Sequence, residues 1–186
     1  MEAVTDHTIS ALVEDKPGVL ARVSGLFRRR GFNISNLSVG HSEVPNLSRM
    51  TFVVQGDEFV VEQVTKQLYK LIDVVRVNDI TGDAKVAREL ALVKVKANAD
   101  NRSEIMQLVD IFRANIVDVA ADTVVIEVTG DEDKIDSLFR LLKPFGIKEV
   151  MRTGRIAMVR GPASTGGKPL TANVDDHNAP DVESVP

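Results

Sequence analysis

The sequence contains no cysteine and no tryptophan, and aromatic residues make up only 4% of its 186 residues. The lack of cysteine excludes disulfides, thiol nucleophiles and cysteine metal sites, and it fits a reducing compartment. No apolar run approaches the roughly 20 residues that a membrane-spanning helix needs. The first six residues are acidic and lack the features of a signal or transit peptide. We therefore expect a cytoplasmic protein with no membrane partner.

The charge balance also lacks an excess of basic residues. Lysine and arginine number 23 against 27 acidic residues, so the net charge is -4, and no overall positive field attracts phosphate backbones. We expect no nucleic-acid partner. The three histidines, His7, His41 and His177, show no metal-ligand spacing, and no convergent acid, base, nucleophile or glycine-rich dinucleotide motif is present. The sequence thus predicts no catalytic site, no metal site and no cofactor bound by this chain.

Apolar residues in the first half alternate with period two in some segments and follow helical spacing in others. The periods predict strands near residues 8–14, 34–39, 50–54 and 74–80, and helices near residues 19–30 and 58–71, with Asp57 as the cap of the second helix. The order is strand, helix, strand, strand, helix, strand. This is the ferredoxin-like βαββαβ arrangement of an antiparallel sheet with two helices on one face.

The same order recurs in the second half, which makes the chain an internal repeat of architecture. Asn101 and Glu104 have capping-box spacing ahead of the first helix of this half, and the last strand, residues 147–159, is expected to break near Gly154. Residues 84–89 are rich in helix formers and predict a helical extension across the junction. We predict an α+β protein with domains at 1–82 and 83–160. The polar, Gly- and Pro-rich residues 161–186 predict a disordered tail.

The sheet face away from the helices is expected to be uncovered and mixed in character. Leu12 and Val53 lie there among polar residues, so we expect self-association through sheet edges or faces. RNA-recognition domains of the same topology stack bases on aromatics of the central strands. Here those strands carry a single aromatic, Phe52, whose alternation points it toward the helices, so the sequence argues against RNA binding.

The segment Asp15-Lys16-Pro17-Gly18-Val19-Leu20 joins the first strand to the first helix. The amides of Gly18, Val19 and Leu20 lie in the first turn, where unpaired donors and the helix dipole suit a carboxylate. Asp15 lies on the strand side and suits an ammonium group, while Asn33 offers a donor and an acceptor. These groups together match a zwitterion such as an amino acid. The alternative is that Asp15 and Asn33 satisfy only local backbone groups.

Two other motifs carry less information. Arg28-Arg29-Arg30 end the first helix, where the helix dipole favours cations in any protein. Residues 161–169 superficially resemble a phosphate-binding loop, but Gly167 occupies the lysine position and no helix is predicted to follow. Neither motif predicts a function.

Several segments together resemble a known family. They are His7-Thr8-Ile9-Ser10, Asp15 to Leu20, Arg30-Gly31-Phe32-Asn33-Ile34, Asn46-Leu47-Ser48-Arg49-Met50-Thr51, Leu71-Ile72-Asp73-Val74 and Glu89-Leu90-Ala91-Leu92-Val93-Lys94-Val95. The chain resembles the ACT regulatory domain as found in the small subunit of acetohydroxyacid (acetolactate) synthase, over about residues 5 to 160. The resemblance makes the first domain an ACT domain and the second an ACT-like one.

The resemblance implies a noncatalytic subunit that activates a catalytic (large) subunit and transmits feedback inhibition by valine or related branched-chain amino acids. Thiamine diphosphate, Mg and FAD are expected on that catalytic partner and not on this chain. The resemblance also implies a homodimer through ACT domains with the amino acid between them. The matching positions here are Asp15, Gly18, Val19, Leu20, Asn33 and Ile34.

One matching position departs from the family pattern. Many relatives carry Asn where this sequence has Asp15, and the added charge strengthens ammonium binding or alters the effector preference. The corresponding turn of the second half, Asn98 to Asn101, lacks Pro-Gly, so we predict no equivalent effector site there. Two alternatives remain: an amino-acid-responsive module acting on another target, and a small enzyme with an unrecognised site.

Overall fold

The computed structural model describes residues 5–162 and residue 165. Its helices and strands follow the predicted order in both halves of the chain. The elements are β1 (Thr5–Glu14), α1 (Val19–Arg30), β2 (Ile34–His41), β3 (Leu47–Gly56), α2 (Glu58–Leu68), β4 (Val74–Asp79), β5 (Lys85–Lys96), α3 (Arg102–Ile111), β6 (Asn115–Val119), β7 (Thr123–Gly130), α4 (Glu132–Leu142), β8 (Ile147–Arg152) and β9 (Ile156–Val159). A 3-10 turn, Lys143–Phe145, follows α4.

The first unit is an antiparallel sheet in the order β2-β3-β1-β4 with α1 and α2 packed on one face. Its core lies between that face and the two helices. Phe27 of α1 stacks on Phe52 of β3 with 5.3 Å between ring centroids, and both rings are buried. The prediction that Phe52 points toward the helices is therefore confirmed, and the ring is not available to stack a base.

The second unit repeats this plan, with the sheet order β6-β7-β5-β8 and a separate core under α3 and α4. The α+β class and the two ferredoxin-like units are thus confirmed, as is the break near Gly154, which lies between β8 and β9 with φ of +85°. The predicted helical extension at residues 84–89 is wrong. These residues begin β5, because residues 85–88 pair with β9 and residue 89 pairs with β7. Ladder pairing has overridden the local helix propensity.

The two predicted helix caps have different outcomes. Asp57 caps α2 as predicted, since its side chain accepts a hydrogen bond of 2.8 Å from the amide of Val60. The capping box at Asn101 is wrong. The Asn101 side chain makes no cap bond and accepts instead from the amide of Asn98 at 2.8 Å. An Asn side chain that bonds a preceding amide is no longer available to the helix end.

The face of the first sheet away from its helices is covered within the chain, so the expectation of an uncovered face is wrong. Residues 155–162 and residue 165 lie across it between the two edge strands. The amide of Arg155 donates to the side chain of Asn36 on β2 at 2.8 Å, and the side chain of Asn78 on β4 donates to the carbonyl of Thr165 at 2.7 Å. Leu12 and Val53, on that face, are buried. Self-association through the edges of this sheet, β2 and β4, stays a prediction.

Gly154 permits this crossing, and its replacement tests the packing between the two units. An added Cβ would lie 2.8 Å from Asn36 Oδ1 and 3.1 Å from the carbonyl oxygen of Leu37. The positive φ alone costs a non-glycine residue about 1–2 kcal/mol. We expect Gly154→Ala to lower the free energy of unfolding by at least that amount in urea titration. Gly82→Ala is the control, since its Cβ meets nothing within 4 Å. Equal stability of the two variants would contradict the crossing.

Within the described residues, no helix is long and apolar enough to cross a membrane. The predicted disordered tail falls almost entirely outside the described part of the chain. Thr165 is an exception, since it is buried and its hydroxyl accepts from the amide of Val159 at 2.8 Å. The predicted domain boundary at residue 82 stays a prediction, and it falls between the end of β4 and the start of β5.

Candidate effector site

The turn between β1 and α1 is held at both ends by backbone hydrogen bonds. The amide of Asp15 donates to the carbonyl of Asn46 at 2.8 Å, and the amide of Arg22 donates to the carbonyl of Gly18 at 3.0 Å. Gly18 has φ of +87°, a conformation that glycine adopts without the steric cost a Cβ would bring. The glycine of the Pro-Gly pair therefore lets the chain turn from the strand into the helix.

The N-terminus of α1 carries no side-chain cap. The cap position is Gly18, and the first turn contains no acidic residue. The amides of the first helical turn have no partner within the helix. Those of Leu20 and Ala21 thus face outward with the positive end of the helix dipole, and Leu20 is exposed. A carboxylate is the ligand that such an end favours.

The Asp15 carboxylate lies on the strand side of the same turn and is open to solvent. Its side chain is 45% exposed, and its Oδ2 atom is 3.1 Å from Nδ1 of His41 at the end of β2. The neighbouring Lys16 pairs with Glu14 at 3.0 Å. Asp15 is therefore an accessible negative group beside a positive helix end. The two charges suit the two ends of a zwitterion.

Asn33 and Ile34 lie at the other end of the sheet. β2 runs from Ile34 to His41, so about 23 Å separates its ends at roughly 3.3 Å per residue. The Asn33 side chain donates to Gln55 at 3.4 Å, far from Asp15. A single chain thus brings Asp15, Gly18, Val19 and Leu20 together and leaves Asn33 and Ile34 apart from them.

The equivalent turn of the second unit is occupied by its own side chains. The Asn98 side chain accepts from the amides of Asp100 and Asn101, each at 3.1 Å. The guanidinium of Arg102 donates to the carbonyls of Ala97, Ala120 and Ala121 at 3.1, 2.9 and 2.9 Å. Helix α3, like α1, has no side-chain cap, but its first turn contains the acidic Glu104, whereas the first turn of α1 contains no acidic residue. The contrast agrees with the prediction of a single effector turn, which itself stays a prediction.

Sequence reasoning missed one ion pair beside the site. Arg22 Nε and Nη2 donate to the two carboxylate oxygens of Asp73 at 2.6 and 2.7 Å. The Asp73 carbonyl accepts from the amide of Glu14 at 2.8 Å. No local pattern pairs two residues that lie 51 positions apart. An arginine in a helix and an acidic residue before a strand are both common, so neither predicts an ion pair by itself.

A groove of about 640 Å³ opens between the β2–β3 hairpin and the β5–β9 strand pair. Val39, Val86, Ile156 and Met158 are among its apolar lining residues and are exposed. The groove borders the candidate site through His41, but none of the six predicted effector residues lines it. The cavity and the effector turn are separate features.

Comparison with known proteins assigns both halves of the chain. Residues 9–76 match the family model described as an AHAS small subunit-like ACT domain, and residues 88–161 match the model of the small subunit of acetolactate synthase. A probable acetolactate synthase small subunit from Archaeoglobus fulgidus is 60% identical over 155 residues, which cover 83% of this chain and 97% of the relative.

Two further relatives agree over a similar extent. The acetolactate synthase small subunit of Mycobacterium leprae is 49% identical, covering 89% of this chain and 98% of its own length. The crystal structure of the acetolactate synthase small subunit from Thermotoga maritima superposes with a TM-score of 0.80 at 44% identity, and the alignment covers 84% of this chain and 98% of that one. Since these matches run through both units in order, the chain belongs to the acetolactate synthase small-subunit family.

Proposed function

We propose that this chain activates the catalytic (large) subunit of acetohydroxyacid synthase and mediates feedback inhibition by valine in branched-chain amino-acid biosynthesis. The observation that carries the proposal is the match of both units to small-subunit families, since a small subunit implies a larger partner. The thiamine diphosphate, Mg and FAD of the reaction belong to that partner in this proposal. A cytoplasmic location is part of the same proposal.

The site chemistry supports an amino acid as the effector. The bare N-terminus of α1 suits the α-carboxylate, and Asp15 suits the α-ammonium group. Leu20 is exposed and Ile34 half-buried, so both offer apolar surface to a branched side chain. Val19 is buried in the core and contributes its backbone alone. These groups favour a small apolar zwitterion such as valine over a charged amino acid.

A symmetric dimer would complete the site. β2 is an edge strand of the first sheet, and an edge presents unpaired backbone groups to another chain. If two β2 strands pair antiparallel about a two-fold axis, the Ile34 end of one copy lies beside the His41 end of the other. Asn33 and Ile34 of one copy then approach Asp15 and Gly18 of the second copy. This arrangement places one valine at each end of the shared interface.

Regulation then follows from differential binding. Valine at the dimer interface favours the arrangement of the two copies that it contacts best, and a catalytic subunit that prefers another arrangement is inhibited. No catalytic group on this chain is needed. The coupling between two such sites is commonly about 1–3 kcal/mol, or roughly 5- to 150-fold in affinity.

Reconstitution tests the proposed function. The purified chain is mixed with the catalytic subunit, and acetolactate formation is measured with and without the chain. We expect the chain to raise the rate of acetolactate formation, and the isolated chain to show no turnover. An unchanged rate at saturating chain would contradict the proposal and favour an amino-acid-responsive module with another target. Turnover by the chain alone would favour an enzyme.

A further inference from the structure

Asp73 is a buried carboxylate with a well-defined partner. Its side chain is 6% exposed, and Arg22 reaches both oxygens with a two-pronged contact, while the Arg22 side chain itself is 49% exposed. A buried carboxylate is costly unless it is paired and hydrogen-bonded. The planar guanidinium of Arg22 donates two parallel hydrogen bonds to the carboxylate in a fixed geometry, which a lysine cannot reproduce. The pair therefore fixes the position of α1 relative to the residue that precedes β4.

Asp73 also holds the strand that leads into the turn. Its backbone carbonyl accepts from the amide of Glu14, the last residue of β1, at 2.8 Å. Through its side chain it holds Arg22, whose own amide makes the hydrogen bond to Gly18 at 3.0 Å. One residue thus binds the chain on both sides of the Asp15 to Gly18 turn.

Within the turn, the bonds described are few and weak. The amide of Val19 donates to the carbonyl of Lys16 at a long 3.4 Å, and Gly18 supplies no side chain to cap the helix. The separation between the helix N-terminus and the Asp15 carboxylate is therefore set mainly by contacts outside the turn. Asp73 and Arg22 supply such contacts on both sides.

We propose that Arg22 and Asp73 are positioning residues for the amino-acid effector. They hold the N-terminus of α1 at the distance from Asp15 that the two ends of the zwitterion require. The inference rests on the proposed function, because it assigns these residues to the same valine site. Neither residue contacts the effector in this account, and each acts through the turn.

The test compares two conservative variants of similar ion pairs. Arg22→Lys keeps the charge and removes the fork. The matched control is Arg152→Lys in the second unit, where Arg152 makes an equivalent two-pronged contact with buried Glu89 at 2.7 Å for both bonds. Titration calorimetry measures L-valine binding to the full chain, and thermal unfolding measures stability. The titration is performed well below the unfolding temperature of each variant.

We expect Arg22→Lys to weaken valine binding at least 5-fold and Arg152→Lys to change it less than 2-fold, even where the two lose similar stability. A purely structural role would lower the unfolding temperature of Arg22→Lys and leave its valine affinity unchanged, which would overturn the inference. Equal weakening by the two variants would overturn it as well. If Arg22→Lys does not fold, Asp73→Asn is subjected to the same criteria, since it keeps the backbone bond to Glu14.

Wild-type protein separates this inference from the function on which it rests. If the wild-type chain gives no heat with L-valine, the valine site itself is wrong and the inference falls with it. If the wild-type chain binds valine and the Arg22 variant binds as tightly, only the positioning role is overturned. Weaker valine binding by Arg22→Lys together with unchanged binding by Arg152→Lys supports both the valine site and the positioning role.

Discussion

Replacing Asp15 with alanine is expected to weaken valine inhibition of the reconstituted enzyme by one to two orders of magnitude. The variant loses the carboxylate that pairs with the ammonium group in the proposed site. A hydrogen bond to a charged group contributes about 1.5–3 kcal/mol, so the valine concentration for half-inhibition should rise by roughly 10- to 150-fold. The measurement is a valine titration of acetolactate formation. Because Asp15 is partly exposed, the variant should unfold within a few degrees of the wild type.

Asp100→Ala is the matched control for this prediction. Asp100 lies in the turn of the second unit that corresponds to the Asp15 turn, and its side chain is also exposed. We expect Asp100→Ala to leave both the rate and the valine response unchanged. Unaltered valine inhibition in the folded Asp15 variant would show that the ammonium group is held elsewhere.

Phe52→Ala is expected to give the largest loss of stability. The ring is 0% exposed and stacks on Phe27 at the centre of the first core. Removing a buried phenylalanine costs about 3–5 kcal/mol, since the apolar contacts are lost and a cavity is left. Urea unfolding followed by circular dichroism should show the transition of the first unit at a markedly lower midpoint.

Phe59→Ala provides the comparison for this variant. Phe59 lies on α2 in the same unit and is 65% exposed, so its truncation should change stability by no more than about 0.5 kcal/mol. Similar losses for both variants would contradict the assignment of the first core. A second, unaffected transition in Phe52→Ala would show that the two units unfold separately.

Periodicity predicted the elements well because each sheet packs an apolar face against its two helices. Along β3, Met50, Phe52 and Val54 alternate into the core, and this period of two distinguishes a strand from a helix. The Gly154 break was also predictable, since glycine in a strand pattern often marks an interruption. Local signals sufficed wherever burial followed the period of a single element.

Contacts between distant segments were not predictable from those signals. Residues 84–89 have helix-forming composition, yet β9 and β7 pair with them as a strand. The covering of the first sheet involves the side chains of Asn36 and Asn78. Nothing in the local sequence distinguishes these two residues from other polar residues in strands. Strand pairing and sheet covering depend on partners far along the chain.

Local sequence signals likewise predicted some residues of the candidate site and missed others. Asp15 and Gly18 were predictable, because a turn residue and a helix start carry local chemistry. Asn33 is separated from them because of the direction in which β2 runs through the sheet. Arg22 and Asp73 meet because β4, which follows Asp73, pairs with β1. The dimer that we propose to bring the two ends of the sheet together involves a second copy of the chain, which no pattern within one sequence encodes.

The most direct test of this account is a valine titration of two samples, the catalytic subunit alone and the same subunit reconstituted with this chain. We expect valine to lower acetolactate formation only in the reconstituted sample, and Asp15→Ala to shift that response to higher valine concentration. Equal inhibition of both samples, or no inhibition of either, would contradict the claim that this chain senses the amino acid.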